Sequence, residues 1–262
     1  MTWERVLGRV SFINCDPVFF GLNSEWRILS APPSWLTGHL LRKDCITAPI
    51  PAADYAANQE KLVLLSDIGI VGREEVGSVL LFGNRSIESM RDIAVPTDSS
   101  TSRMLLKWIL SERGLDPKLV KMGPDIESMM EKCDGALIIG DRAISAAISH
   151  KSSVLLDLGR EWKEITGYPM VFGVFAARKD SELPLVLEAR NAMMKHYDLF
   201  NNDPNFRGEV ISSSSKKVGL REDRVKSYFE KEVSNFLEED SIKGLGKFLD
   251  LVCRVEEPIW VS

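Results

Sequence analysis

Short apolar runs alternate with segments of helical periodicity along this chain, and this alternation restricts its fold more than any other feature of the sequence. Such alternation is typical of α/β proteins, in which helices cover the faces of β-sheets. With 262 residues, the chain is long enough for one large domain or two small ones. Strands are predicted in GRVSFIN, CITAPIP, LVLLSDIGIV, GSVLLFG, DIAVPTD, GALIIGD, SVLLDLG and MVFGVFAAR.

Polar residues between these runs predict where helices begin and where strands turn. Ser34 is positioned to cap a helix over SWLTGHLLRK, and Gly114 to end a helix over SSTSRMLLKWILSERG in the left-handed conformation. The polar segment at residues 72–75 predicts a turn that pairs LVLLSDIGIV with GSVLLFG. Pro49 and Pro51 indicate an irregular strand end on the ligand side rather than a central strand.

The last third of the chain has a different pattern. From residue 183 onwards helical periodicity predominates, with breaks predicted near Pro204, Gly219 and Gly244. The serines and lysines at residues 212–217 predict an exposed loop between two helices.

Composition and charge argue against several classes of function. A formal net charge of -5 gives no basic surplus, so nucleic acid is not an expected partner. The N-terminal segment MTWERVLGRV lacks the apolar core of a signal peptide, and no window is apolar enough for a membrane span, so we expect a cytoplasmic protein with no membrane partner. The cysteines and histidines lack metal-ligand spacing, so we expect no metal site and reduced thiols: Cys15, Cys45, Cys133, Cys253, His39, His150 and His196.

The segment PTDSSTS, at the predicted start of a helix, is the richest candidate for a binding site. Its four consecutive hydroxyl residues exceed the needs of a single N-cap: Ser99, Ser100, Thr101 and Ser102. Free amides and the positive end of the helix dipole make a helix start a site for anions such as a carboxylate. The alternative is that one residue caps the helix and the others face solvent.

Small polar residues also end or begin other predicted strands. They are Asn14, Pro51, Gly77, Ser78, Gly140 and Asp141. Because ligands of open α/β sheets bind at the carboxyl ends of strands, these residues can converge on one cleft. Each also has a plain structural interpretation: Asn14 and Gly77–Ser78 in turns, and Asp141 as a helix N-cap. The dinucleotide fingerprint, the P-loop and the G-x-S-x-G elbow are all missing from the sequence.

Six segments together carry a resemblance to a known family. They are GRVSFINCDPVFFGL, PSWLTGHLL, APIPAADYA, VGSVLLF, ALIIGDRAI and DLGREWKEITGYPMVFGVFAAR. Their order resembles that of the menaquinone biosynthesis family that includes chorismate dehydratase of the futalosine pathway. The resemblance spans roughly residues 5–180 and continues weakly through the helical tail.

The resemblance implies a two-lobed α/β fold like that of type II periplasmic binding proteins, with a ligand cleft between the lobes. We expect lobe 1 at residues 1–87 plus 178–262 and lobe 2 at residues 88–177, with hinges near residues 84–89 and 176–179. No signal peptide is predicted, and this separates the chain from exported transport proteins of that shape.

The resemblance also implies dehydration of chorismate, a small dicarboxylate, to 3-[(1-carboxyvinyl)oxy]benzoate without a cofactor. By the same resemblance Asn14 and Ser78 match active-site positions, and Ser99 to Ser102 match the region that holds a carboxylate. Gly77, Pro51, Gly140 and Asp141 complete the expected binding residues. The oligomeric state is not predicted.

The chain departs from the family pattern at Cys15, Asp16 and Pro51, and an extra carboxylate at Asp16 can repel a dianion or act as a base. We hypothesise that a carboxylate of the substrate itself takes the proton, with Asp16 and Asp141 as the rival bases. Two other functions remain open at this point. One is the sister enzyme that makes 1,4-dihydroxy-6-naphthoate, which normally has a histidine in the cleft, and the other is a cytoplasmic binding or sensor protein for a small carboxylate.

Overall fold

Twelve strands and eleven α-helices occur in residues 3–261, the part of the chain that the computed structural model describes. The strands are β1 (Val6–Val10), β2 (Arg27–Ala31), β3 (Thr47–Pro51), β4 (Leu62–Gly72), β5 (Val79–Gly83), β6 (Asp92–Pro96), β7 (Lys118–Met122), β8 (Gly135–Ile139), β9 (Val154–Asp157), β10 (Met170–Arg178), β11 (Val233–Phe236) and β12 (Trp260–Val261). The helices are α1 (Asp16–Phe19), α2 (Pro33–Leu41), α3 (Ala52–Ala56), α4 (Ser100–Glu112), α5 (Ile126–Lys132), α6 (Asp141–Ser149), α7 (Leu158–Thr166), α8 (Leu183–Asn202), α9 (Pro204–Val218), α10 (Glu222–Ser227) and α11 (Glu239–Phe248).

The strands form two mixed sheets, one in each lobe. The first has the order β11-β4-β10-β3-β1-β2, with β12 also paired to β4, and the second has the order β7-β6-β8-β5-β9. In the first sheet β1 is parallel to β2 and β3, and β10 is antiparallel to β3 and β4. In the second sheet β6 is parallel to β7 and β8, and β5 is antiparallel to β8 and β9. The expected two-lobed α/β fold is therefore present.

Central strands are covered on both faces. Every residue of β3, β5 and β8 is buried, as is all of β1 except Arg9. Continuous apolar runs are the pattern of strands covered by helices on both sides of a sheet. A large hydrophobic core extends through both lobes, and a second, smaller cluster packs around Phe82 and Met129. None of the helices within residues 3–261 is long and apolar enough to cross a membrane.

The predicted pairing of LVLLSDIGIV with GSVLLFG is wrong, because β4 belongs to the first sheet and β5 to the second. Residues 73–78 are a crossing between lobes rather than a hairpin turn. Arg73 N donates to Glu232 O (3.0 Å), and Val76 N and Gly77 N donate to the Asp157 carboxylate. These bonds hold the segment away from the geometry of a tight turn.

The sheets also correct the expected lobe boundaries. All strands of the second sheet lie within residues 79–157, and β10 returns the chain to the first sheet. The crossings are therefore residues 73–78 and 158–169, rather than the predicted hinges near 84–89 and 176–179. The first crossing leads into β5, which pairs with β8 and β9 in the second sheet, and the second leads into β10, which pairs with β3 and β4 in the first.

Three local predictions are also wrong. The first strand ends at Val10, and the chain then turns through a 3₁₀ turn at Ile13–Cys15 that contains Asn14. α2 begins after Pro32, and Ser34 makes no side-chain cap. β3 is an interior strand despite its prolines, and its bridging to β1 is limited to Leu7 opposite Thr47, which agrees with the missing proline N–H groups.

The helical tail follows the prediction in part. Breaks occur at Pro204 and Gly219, but Gly244 lies inside α11. Residues 212–217 are helical, because they complete α9 and bury Ser214 against α1. The predicted left-handed end of α4 is confirmed by the positive φ of Gly114 (68°).

Candidate functional site

A cleft lies between the lobes at the edge where five strands end and three begin. β1, β3, β4, β6 and β8 end there, and β5, β10 and β11 begin there. Its volume is about 560 Å³, including the space open to solvent. Apolar side chains form most of the wall: Val10, Phe12, Pro33, Pro49, Ile50, Ile70, Val76, Val79, Ile139, Phe172 and Val233.

Most of the residues singled out from the sequence line this cleft. They are Asn14, Pro51, Ser78, Ser99, Thr101, Ser102 and Gly140. Three others are not part of the wall but adjoin lining residues in the sequence: Gly77, Ser100 and Asp141. Hydroxyl and amide groups from distant parts of the chain are thus brought together, as expected for strand ends that meet at one edge.

Asn14 reaches the cleft from the 3₁₀ turn that follows β1. Its Oδ1 atom is shielded from solvent and has no hydrogen-bond partner among residues 3–261. A shielded amide oxygen without a partner is costly, so its position in a cleft calls for an explanation, of which a bound ligand is one. Asn14 can therefore accept from a hydroxyl or N–H group in the cleft.

The start of α4 provides a cluster of hydroxyl groups. Ser99 is the N-cap and accepts from Ser102 N (3.4 Å). Thr101 Oγ1 accepts from Ala53 N (3.1 Å), which joins α4 of the second lobe to α3 of the first. Ser100 Oγ is shielded and lacks a partner among the described residues. One serine of PTDSSTS caps the helix, as the alternative interpretation expected, but Thr101 and Ser102 are buried at the cleft rather than facing solvent.

Ser78 forms a buried hydrogen bond that connects the lobes. Its Oγ lies 3.0 Å from Tyr228 Oη, and its carbonyl accepts from Gly140 N (2.7 Å). Tyr228 also lines the cleft, from a π-helical turn at Tyr228–Glu232 after α10. Sequence reasoning missed this tyrosine because it belongs to the helical tail and follows no strand end.

Asp157 fixes the crossing that precedes Ser78. Its carboxylate accepts from the backbone N–H groups of Val76 (3.1 Å), Gly77 (2.7 Å), Gly159 (2.9 Å) and Arg160 (3.1 Å). Burial raises the pKa of this carboxyl, and the four N–H groups act in the opposite direction. Gly77 has a positive φ (60°), and a side chain there would meet the Glu232 carboxylate, so glycine is required at this point.

Asp141 is not the N-cap of α6, as the sequence suggested, because Gly140 occupies that position with a φ of 65°. Instead, Asp141 Oδ1 accepts from Ile13 N (3.0 Å), across the cleft in the first lobe. Burial raises the pKa of this carboxyl to about 6. Above Gly140 lies the ring of Phe12, which contacts the Arg142 guanidinium 5.2 Å from its centroid.

Asp16 lies behind the cleft and is already paired. It forms an ion pair with Arg9, accepts from Ser214 Oγ (2.8 Å) and lies 3.6 Å from Lys217 Nζ. The carboxylate is buried and does not line the cleft. The positive charges of Arg9 and Lys217 therefore reduce the electrostatic repulsion expected between Asp16 and an anionic ligand.

The cleft wall, as far as residues 3–261 define it, contains no charged side chain and no histidine. The histidines bond elsewhere: His39 to Asp44 (2.8 Å), His150 to Glu127 (3.0 Å) and His196 to the carbonyl of Phe20 (2.7 Å). No cluster of three or more potential metal ligands occurs in the described part of the chain. The wall can thus bind anions through hydroxyl, amide and backbone N–H groups.

A profile of the family described as menaquinone biosynthesis matches residues 6–254. This chain belongs to the menaquinone biosynthesis family. A relative named chorismate dehydratase, from Thermus thermophilus, is 31% identical over 198 residues, which are 70% of this chain and 73% of the relative. The family resemblance inferred from the sequence is therefore confirmed.

Solved structures agree on the fold of this menaquinone biosynthesis family member. A crystal structure of an Archaeoglobus fulgidus protein superposes with a TM-score of 0.78 at 21% identity, covering 95% of this chain and 96% of that protein. The periplasmic aliphatic sulphonate binding protein SsuA from Escherichia coli gives a TM-score of 0.66 at 15% identity, with 95% and 86% covered. The family member therefore has the periplasmic-binding-protein fold that was expected.

Proposed function

We propose that this chain is a chorismate dehydratase, a hydro-lyase that converts chorismate to 3-[(1-carboxyvinyl)oxy]benzoate and water without a cofactor. Membership of the menaquinone biosynthesis family and 31% identity to a relative named chorismate dehydratase support the proposal. The proposal includes a cytoplasmic reaction in the futalosine pathway and chorismate as the small dicarboxylate partner.

The observation that carries the proposal is the shielded, unpartnered Oδ1 of Asn14 in a cleft that also contains the hydroxyls of Ser78, Ser99, Thr101 and Ser102. Such a wall offers hydrogen bonds to the hydroxyl and carboxylate oxygens of a compact, polar ring compound. The N-terminus of α4 adds the positive end of a 13-residue helix for one carboxylate.

The chemistry demands little of the protein beyond positioning. Removal of one ring proton and departure of the ring hydroxyl as water leave an aromatic ring, so the reaction is strongly favourable. The protein must hold the dianion, assist the leaving hydroxyl and align the base with the proton. In this proposal Asn14 positions substrate oxygens, and Ser78 donates to the leaving hydroxyl or to a carboxylate.

A carboxylate of the bound substrate remains the proposed base. Asp16 is held by Arg9, Ser214 and Lys217, and Asp141 accepts a hydrogen bond from Ile13 N. Neither carboxylate lines the cleft. A general base must lie within hydrogen-bond reach of the proton that it removes, and this geometry disfavours both rivals.

The cleft wall also bears on the sister activity. That enzyme type normally has a histidine in the cleft, and the described wall of this cleft has none. A binding or sensor protein for a small carboxylate would use the same hydroxyl groups, so turnover is the property that separates it from an enzyme.

The test is an assay of the purified protein with chorismate and no added cofactor, followed by ultraviolet absorbance and mass spectrometry. We expect an aromatic product lighter than chorismate by one water. Unchanged chorismate, with an active control dehydratase in parallel, refutes the proposal. If chorismate then raises the melting temperature without turnover, the protein is a binding protein.

A matched pair of variants tests the site. Asn14→Ala removes the amide whose Oδ1 lacks a partner among the described residues, and it is expected to lower kcat/KM by about a hundredfold, the usual cost of one catalytic hydrogen bond. Asn202→Ala, at the exposed end of α8, removes an amide whose one side-chain hydrogen bond within residues 3–261 goes to the Asp198 carbonyl, and it should leave kcat/KM unchanged. Equal activity of the two variants contradicts the role of Asn14.

A further inference from the structure

The Tyr228 hydroxyl and the Ser78 hydroxyl form a buried pair at the cleft wall. Their oxygens are 3.0 Å apart, and the two residues are 1% and 4% exposed. Tyr228 is the only partner that the described residues give to Ser78 Oγ. Tyr228 follows α10 in the first lobe, and Ser78 is the last residue of the first crossing, directly before β5 of the second sheet.

Either hydroxyl can donate in this hydrogen bond, and the relative acidity of the two groups favours Tyr228 as the donor. A phenolic O–H is a stronger donor than an aliphatic hydroxyl, and its oxygen is a weaker acceptor. Burial raises the pKa of Tyr228, and the nearby carboxylates of Asp141 and Glu232 raise it further, so the phenol stays protonated. With Tyr228 as the donor to Ser78 Oγ, the Ser78 proton is left free to point elsewhere.

The surroundings of Tyr228 keep its ring in place. The Arg224 guanidinium lies 5.9 Å from the ring centroid and forms a two-bond ion pair with Glu232 (2.8 and 2.9 Å). Glu232 closes the π-helical turn that begins at Tyr228. π-Helical turns inside helices frequently occur at functional sites. The ring is thus held by a partly buried ion pair instead of by apolar packing alone.

The backbone of Ser78 is fixed as well. Its carbonyl accepts from Gly140 N, and the preceding residues are bound by Asp157. With the backbone fixed, the remaining freedom of Ser78 is rotation of its side chain and of its hydroxyl proton. The hydrogen bond from Tyr228 removes much of this freedom.

We propose that Tyr228 is a positioning residue that donates to Ser78 Oγ and thereby directs the Ser78 proton into the cleft. This inference rests on the proposed dehydratase function. Because chained hydrogen bonds polarise one another, donation by Tyr228 also makes Ser78 a better donor to the leaving hydroxyl.

The test is a double-mutant cycle with Tyr228→Phe, Ser78→Ala and the double variant, measured by steady-state kinetics on chorismate. Loss of a neutral hydrogen bond predicts a kcat about tenfold lower for Tyr228→Phe, with KM within about twofold. Ser78→Ala should lose about a hundredfold. The double variant should match Ser78→Ala within about threefold, since Tyr228 acts through Ser78.

Tyr197→Phe is the matched control. Tyr197 is a buried tyrosine of the same lobe whose hydroxyl lies 3.2 Å from Ser234 Oγ, and it does not line the cleft. Its variant should keep the wild-type kcat. If Tyr228→Phe fails to fold, 3-fluorotyrosine incorporated at position 228 preserves the shape and donates more strongly, so kcat should rise at least about twofold.

The outcomes separate this inference from the proposed function. Wild-type protein that leaves chorismate unchanged refutes the function and the inference together. If the wild type is active, three results refute only the role of Tyr228. They are a kcat of Tyr228→Phe equal to that of Tyr197→Phe, fully additive losses of kcat in the double-mutant cycle, and a kcat unchanged by 3-fluorotyrosine.

Discussion

Asn in place of Asp141 is expected to make the protein more stable near neutral pH. Asp141 accepts one hydrogen bond, from Ile13 N, which the amide oxygen of an asparagine can also accept. The substitution therefore keeps the contact between the lobes and removes the ionisable group. Burial raises the pKa of this carboxyl from 3.8 to about 6 in the folded protein.

The sign and size of the effect follow from proton linkage. The folded protein binds the Asp141 proton more tightly than the unfolded chain does. The stability that this proton contributes is therefore complete below pH 3.8 and is lost as the pH rises through about 6. The full difference corresponds to about 3 kcal/mol. Of this, about 2 kcal/mol falls between about pH 4.5 and about pH 7.5.

Urea denaturation of wild type and Asp141→Asn at about pH 4.5 and about pH 7.5 measures this difference. We expect the free energy of unfolding of Asp141→Asn, relative to wild type, to increase by about 2 kcal/mol from the lower to the higher pH. Asp134→Asn is the control, because hydrogen bonds from Arg91 lower the pKa of Asp134 to about 2 and its titration lies below both conditions. If the difference in the free energy of unfolding between Asp141→Asn and wild type is the same at both pH values, the reasoning is refuted.

Two further predictions concern contacts across the cleft. Gly140→Ala places a Cβ atom 2.6 Å from the Phe12 ring at a positive φ, so it should lower the free energy of unfolding by about 2 to 4 kcal/mol. The control is Gly167→Ala, where φ is also positive but no atom lies within 4 Å of the added Cβ atom, and there we expect a loss of about 1 kcal/mol. Equal losses in urea denaturation would show that the cleft does not confine this position. Thr101→Val removes the acceptor of Ala53 N and should lower the free energy of unfolding by about 1 to 3 kcal/mol; an unchanged value contradicts the importance of this link between lobes.

Much of the candidate site could be predicted because it is built from strand ends. Apolar runs identify the strands, and the polar residue after each run marks the edge of a sheet. Asn14, Thr101 and Gly140 follow strands and line the cleft for this reason, whereas Ser78 lines it from just before the start of β5. Their roles in the proposed reaction remain predictions.

The strand partners could not be predicted, because an apolar run does not encode which sheet it joins. LVLLSDIGIV and GSVLLFG are both apolar and close in sequence, so a hairpin was the local expectation. Asp157, about 80 residues later in the chain, accepts hydrogen bonds from residues 76 and 77, and these bonds keep the two strands from forming a hairpin. Long-range polar contacts of this kind leave no periodic signal.

Tyr228 and Ser214 were missed for a related reason. Tyr228 meets Ser78 at a separation of 150 residues, and Ser214 meets Asp16 at a separation of 198. In each case a polar residue of the helical tail is buried because its partner comes from the first part of the chain. Local propensity assigns such residues to solvent.

The position of β10 between β3 and β4 has a consequence for synthesis of the chain. All five strands of the second sheet are complete by residue 157, whereas the first sheet lacks β10, an interior strand, until residue 178 has been made. On the ribosome the inserted lobe can thus form while β3 and β4 still have exposed edges, a state prone to association. Nascent chains arrested with residue 157 outside the ribosome and residue 178 still inside it should resist protease in the second lobe before the first.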